Sequence, residues 1–430
     1  MDWLLTIFAA LAFFQIGFCL DYYLFREKKN FDLAKYWGLG LGTVAVFQMI
    51  LGTVRMPVSR EMVMVISLAA FLPWVLDKGL QMRERRFRFV LTSPRLRGAS
   101  RGKVLANTVW VLFFGIIFLL TFSQGIWGHD ALSFWLSKGR AFFLDGGITA
   151  KNLFYFWPFD HPLLWPLSVT WFYEILGRPE IYFVRIIPFV TFVLLFSKIK
   201  SGIWQIVFLA TPFLLMTLIM PEHAGNADLL VSFFVLLATA FLLEGTFFYT
   251  GIFLGLAALT KNDSLPMLLG FIFLSGVLLR QGKWLKSGLA AAIILALFTL
   301  GFKYYFGLDN RYVDRSFFGN LSVSPFLKSA IYTAQAFREE FRQVSRWGLG
   351  WWLGVFALAT GGKKILADRK LLVLAGLLAI DIVSLFWVYY VTPENQATHI
   401  ATSLSRVLFQ IYPAVILFSS RLFALQTKQD

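Results

Sequence analysis

Four carboxylates in this chain sit where a carboxylate is expensive. Asp130, Asp160, Asp228 and Asp263 each follow or interrupt a long apolar run. A charge in such a place is kept only if it is paired or used. Cations accompany them. In GLAALTKNDSLPML, residues 255–268, Lys261, Asn262 and Asp263 break two apolar runs with almost no loop. Lys261 suits the binding of a phosphate; a simple salt bridge to Asp263 is the alternative. Arg406 lies in TPENQATHIATSLSRVLFQIYP, with His399 seven residues before it. At the mouth of a membrane helix an arginine either snorkels to the headgroups or clamps a lipid phosphate with two parallel N–H bonds.

The surrounding stretches set further limits. In GHDALSFWLSKGRAFFLDG, residues 128–146, helical spacing puts Leu132, Phe134, Trp135, Phe142 and Phe143 on one broad apolar face. Lys138 and Arg140 fall on or beside its polar edge, as in a helix lying at the lipid boundary. Asp130 stands at its start, where an acid also serves as an N-cap. In FWPFDHPLLWPL, three prolines rule out a continuous helix and hold Asp160 and His161 in a rigid path. His161 is a general base, a metal ligand or a plain hydrogen-bonding side chain. In PEHAGNADLL, Asp228 falls in the first turn of the next helix with Asn226 as its cap, and there it complements the helix dipole. Glu339 and Glu340, with Arg338 and Arg342, read as the solvated face of a second interfacial helix.

The elements that must position these residues are membrane helices. The chain of 430 residues is 58% hydrophobic and 15% charged, against about 25% charged in soluble domains. A single cysteine, Cys19, excludes an intrachain disulfide framework and a cysteine-based zinc site. The net charge of +16 needs no nucleic acid, because no soluble basic domain carries it and cytoplasmic loops of membrane proteins are basic. A bilayer core of about 30 Å takes roughly 20 helical residues. About thirteen apolar runs qualify, the first three near 2–20, 37–54 and 61–77 and the last near 407–420. The reading is an all-α polytopic bundle with interfacial amphipathic helices on its outer face. The first run lacks a basic leader and a clear cleavage site, so it reads as a retained helix.

Orientation follows from the segment 78–103, which carries Lys78, Arg83, Arg85, Arg86, Arg88, Arg95, Arg97, Arg101 and Lys103. Fixing it in the cytoplasm puts the C-terminus inside and the N-terminus outside. The chemistry-bearing residues, with Asp314 and Glu394, then all open onto the outer side, in segments 124–180 and 305–347 and at several span ends.

In this order the stretches HDALSFWLSKGRAFF, DHPLLWPL, NADLLVSFF, GLAALTKND and THIATSLSRVLFQIYP resemble the GT-C superfamily of polytopic glycosyltransferases. The nearest branch is bacterial and related to the dolichyl-phosphate-mannose protein mannosyltransferases and the aminoarabinose transferases. The resemblance covers about residues 104–420. It implies a GT-C-like catalytic core at 104–430, preceded at 1–103 by three accessory helices and the basic cytoplasmic loop. It implies an enzyme of the bacterial inner (plasma) membrane that takes a sugar from a polyprenyl-phosphate donor and passes it, with inversion, to an acceptor hydroxyl outside the cytoplasm. The acceptor is a glycan, lipid or protein. Asp130 is then the catalytic base, with Asp160 and Asp228 as further catalytic carboxylates. Lys261, Arg406 and Arg311 hold the donor phosphate, and Lys138, His161, Asn262, Asp263 and His399 line the substrate. No cofactor is required; a divalent cation, Mg or Mn, on Asp130 is the option left open. The chain departs from the family in having His129 before Asp130, His161 between Asp160 and Pro162, and Ser405 where relatives carry an acid. The rival readings are a transporter or flippase of lipid-linked sugar, and a polymerase or ligase of polyprenyl-linked glycans.

Overall fold

The computed structural model describes residues 1–25, 32–72, 101–156, 159–199, 202–220, 222–279, 282–308, 323–391 and 395–426. Arg311, Asp314, Glu394, most of the basic segment 78–103 and part of segment 305–347 lie outside the described residues.

Among the described residues the chain forms helices and no strands. Five helices are long and apolar enough to cross a membrane: Asp2–Tyr23, Leu33–Thr53, Lys283–Phe306, Arg369–Tyr390 and Gln396–Gln426. A sixth crossing arises if Gly202–Leu209 and Pro212–Ile219, bent by 63°, form one broken span. The break has a local cause. Pro212 has no N–H to give the preceding turn and drives Thr211 out of helical geometry, to φ −98 and ψ 100. The protein is thus an all-α membrane protein. Other apolar runs also became helices, but shorter ones: Ile186–Lys198 has 13 residues, Phe247–Thr260 and Leu265–Leu278 have 14 each, and Asp228–Glu244 has 17.

The first helices are woven into the same core as the rest. Asp32 starts Leu33–Thr53 by accepting hydrogen bonds from the N–H groups of Ala34 and Lys35, at 3.1 and 3.2 Å. Trp37 Nε1 donates to Thr191 Oγ1 at 3.0 Å, and Gln48 Nε2 donates to the Leu167 carbonyl at 2.8 Å. Asp2–Cys19 and Leu33–Thr53 approach through glycine. A Cβ on Gly17 would lie 1.8 Å from the Tyr36 carbonyl oxygen, and one on Gly40 would lie 1.8 Å from that of Phe13. Lipid supplies no hydrophobic drive between helices, so backbone approach of this kind is what binds them. Gly40→Val should therefore push the pair apart and lower the thermal midpoint in detergent by several degrees. A midpoint unchanged from the parent would show that the two helices are held elsewhere.

Both stretches read from the sequence as amphipathic helices form helices. After a π-type turn at Ala131–Trp135, Leu136–Leu144 packs along Leu164–Leu176, with Thr170 Oγ1 donating to the Gly139 carbonyl at 3.1 Å. The helix is enclosed on more than its apolar face. Lys138, placed at the polar edge by spacing, is therefore only 1% exposed, while Arg140 stays in solvent. The second, Val323–Arg342, keeps Arg338, Glu339 and Arg342 exposed as expected. Its Glu340 is not part of that face. It is buried and accepts from Arg346 Nη1 at 2.7 and 2.8 Å and from Trp347 Nε1 at 2.9 Å.

Candidate functional site

Helix ends far apart in sequence meet in one network of charges. Asp228 is the first residue of Asp228–Glu244. Lys261 ends Phe247–Thr260 in extended geometry, at φ −149 and ψ 147, so the chain turns sharply there. That turn aims Lys261 Nζ at Asp228 Oδ1, 2.9 Å away, and at Asp263 Oδ2, 3.0 Å away. From the last helix, Arg406 Nε donates to Asp228 Oδ2 at 3.0 Å, while its Nη1 pairs with Asp130. Gln410, one turn further on, donates to Asp228 Oδ1 at 2.8 Å and to Asp263 Oδ2 at 3.3 Å.

The same corner reaches a second carboxylate. Asn262 Nδ2 donates to Asp160 Oδ2 at 2.9 Å and to the Asp160 carbonyl at 3.2 Å, and Lys303 Nζ donates to Asn262 Oδ1. Lys138 is close enough to Asp160 to feel its charge. Burial pushes its ammonium down to about 8; Asp160 opposes that shift and Lys303 adds to it.

The structure thus gathers Asp130, Asp160, Asp228, Lys138, Lys261, Asn262, Asp263 and Arg406. Three expectations change. Asp130 does not cap its helix: it has helical backbone angles and no bond to the backbone N–H groups ahead of it. Asn226 does not cap the helix after it either, because Ala227 holds the cap position. Lys261 is shared between Asp228 and Asp263 rather than bound to Asp263 alone. The two histidines expected at the substrate, His161 and His399, make ring contacts. His161 lies flat on Trp135, with ring centroids 5.1 Å apart and planes 6° from parallel. His399 meets Tyr389 edge-on at 5.0 Å. Gln410 and Lys303 were not legible as site residues: one is an amide within an apolar run, the other a lysine near a helix end.

Burial separates the carboxylates by task. The Asp228 side chain is 3% exposed and takes bonds from Lys261, Arg406 and Gln410. It organises cations and has little reach toward a ligand. The Asp130 side chain is 29% exposed and is held by Arg406 from one side. It can meet a hydroxyl arriving from outside the bundle. The donor set suits a divalent ion poorly: Asp130 already faces a guanidinium, and its other charged neighbour is His129 Nδ1 at 3.7 Å. Among the described residues, no group of three or more His, Cys, Asp or Glu side chains is disposed to hold a metal ion. Comparison with protein-family models, with curated proteins and with solved structures returns no match for this chain.

Proposed function

We propose that the protein is an integral membrane glycosyltransferase that moves a sugar from a polyprenyl-phosphate donor to an acceptor hydroxyl on the extracytoplasmic side. The observation that supports this most is the bridge of Arg406 between Asp130 and Asp228. It holds an accessible carboxylate beside a fixed cation on the last helix. The proposal keeps the finer reading of the sequence: about thirteen crossings, a GT-C-like core at 104–430 and a location in the bacterial inner membrane.

In this reading Asp130 takes the acceptor proton as the hydroxyl oxygen attacks the anomeric carbon. The bond from that carbon to the phosphate oxygen breaks, and the lipid phosphate leaves with the electron pair. The transition state is oxocarbenium-like, as in glycoside hydrolysis. A phosphate leaving group needs positive charge rather than a proton, and charge is worth more where water is scarce. Arg406 and Lys261 supply it while sharing their N–H groups with the carboxylates. Lys138 and Lys303 add two more positive charges beside Asp160. Mg or Mn is not needed for this balance.

Lys138 gives the reading a pH signature. With its ammonium near 8, the charge is lost as pH rises through that value, well below the ordinary lysine range. Donor binding should weaken over the same interval, and Lys138→Arg should push that alkaline limb above pH 10 because guanidinium stays charged. The check is donor affinity from pH 6.5 to 10. An affinity that is flat across pH 8 removes Lys138 from the phosphate site.

The transporter reading keeps one observation in its favour, the helix broken at Ala210 and Thr211, since transporters use discontinuous helices around their substrates. One preparation separates the two. The lipid that copurifies with the chain is identified by mass spectrometry, then supplied with acceptor to the protein in nanodiscs. A polyprenyl-phosphate sugar that loses its sugar to an acceptor is the expected result. The same lipid bound, left intact and moved across proteoliposomes would favour transport, and bulk phospholipid alone would sink both.

A further inference from the structure

Beside the Asp228–Arg406 pair lies a cavity of about 10 Å³, lined by Thr217, His223, Asn226, Asp228, Leu229 and Arg406. That is the lower end of what one water molecule needs, about 10–15 Å³ with two to four polar partners. The lining supplies them. Asn226 is 8% exposed, and its Oδ1 has no hydrogen-bond partner in the structure. A buried acceptor left this way is costly, and a water in the cavity relieves it. Thr217 spends its hydroxyl proton on the Leu214 carbonyl at 2.7 Å and keeps lone pairs for a donor. Arg406 brings N–H groups and Asp228 brings oxygens, so both hydrogens and both lone pairs of a water find partners.

The turn that carries His223 is fixed, and it is fixed against the loop of Asp130. Gly225 has φ +86, a region that favours glycine, and its carbonyl accepts from Trp165 Nε1 at 2.7 Å. A Cβ on Gly128 would come within 2.3 Å of the Glu222 carbonyl oxygen, so the two loops touch backbone to backbone. We propose that this cavity holds one water molecule that ties His223 to the Asp228–Arg406 pair, making His223 a positioning residue for Asp130. This rests on the transferase reading for its consequence, though not for its geometry.

The charges around His223 give the proposal a direction. Burial holds its imidazole below the ordinary histidine value, and Arg406 and Arg346 act the same way; Asp228 and Glu222 oppose them. Its ring lies against Phe213, with centroids 5.7 Å apart and planes tilted by 57°. The ring donates an N–H to a water whose own hydrogens go to Asp228 and Asn226. A protonated ring sets a second cation against Arg406, which is then repelled from its hold on Asp130. Activity should fall on the acid side as His223 protonates.

The chain has four histidines, so labelled imidazole signals can be followed one by one in nanodiscs and assigned with His223→Gln. His223 is expected to titrate below the ordinary histidine value. Asn226→Leu fills the cavity, removes the acceptor and should move the His223 midpoint down by at least about half a pH unit. Asn226→Ser keeps a polar oxygen and space for water, and should leave the midpoint near the parent value; it also covers the case in which the leucine variant fails to fold. The acid midpoint of turnover should track the His223 midpoint in parent and variants alike. An ordinary His223 midpoint, or one unmoved by Asn226→Leu, overturns the water bridge whatever the turnover shows. If the midpoints move as expected while no sugar is transferred, the bridge stands and the transferase reading falls.

Discussion

Asp130→Asn is expected to lower sugar transfer by about 10²–10⁴-fold, the usual contribution of a positioned base, while the lipid donor still binds. The asparagine keeps the shape and an oxygen for Arg406 to bond, but it cannot take a proton from the acceptor. Folding should barely change. Asp130 is partly exposed, and Arg406 keeps its second partner, Asp228, at 3.0 Å. The informative measurement is therefore a split: turnover against donor affinity on the same preparation. Full turnover in the asparagine variant would remove Asp130 as the base and with it the mechanism proposed above. Equal losses in turnover and affinity would instead assign Asp130 to holding Arg406 in place for the phosphate. Asp228→Asn should behave differently, because that side chain is enclosed by Lys261, Arg406 and Gln410, and its loss disturbs three donors at once.

Much of this site is legible before folding, for one physical reason. A charge at the end of an apolar run is too costly to keep without a partner, so Asp130, Asp228, Lys261 and Arg406 announce themselves. What the chain does not announce is which face of a helix meets them. Gln410 is a neutral amide inside an apolar run, and its role depends on lying one turn beyond Arg406, on the side turned to Asp228. Lys303 precedes Tyr304 and Tyr305, which are 90% and 54% exposed, and the trio reads as an interfacial anchor. The lysine alone turns inward to Asn262. Glu339 and Glu340 are neighbours in sequence and opposites in space, because successive helical residues point about 100° apart. Lys138 is polar by type and buried by packing, since its helix is covered on two sides. The helices follow from apolar runs, whereas their length as crossings does not. Pro212 divides one run, and other runs end in caps after 13 to 17 residues.

Arg406→Met should produce the largest combined loss of stability and activity in the molecule. Arg406 is 17% exposed at its side chain and joins two carboxylates. Removing one partner of a buried pair costs about 3–5 kcal/mol because a charge is left behind in a poor solvent. The lower end is expected here: Asp228 retains Lys261 and Gln410, and Asp130 can rehydrate. Transfer should disappear with it, since Asp130 loses the only side chain from the last helix that bonds it among the described residues. Arg406→Lys tells charge from geometry. An ammonium restores one positive charge but has no planar fork to span Asp130 and Asp228 together, so heat stability should return in part while transfer should not. The double variant Asp130→Asn with Arg406→Met closes the argument. With the Asp130 charge already gone, losing the guanidinium should cost less than it does alone, by a coupling of about 0.5–3 kcal/mol read from thermal midpoints in one detergent. Strictly additive losses would mean that the contact between these two residues, 276 positions apart, contributes nothing to the fold, and a base held by nothing is a poor candidate for a catalyst.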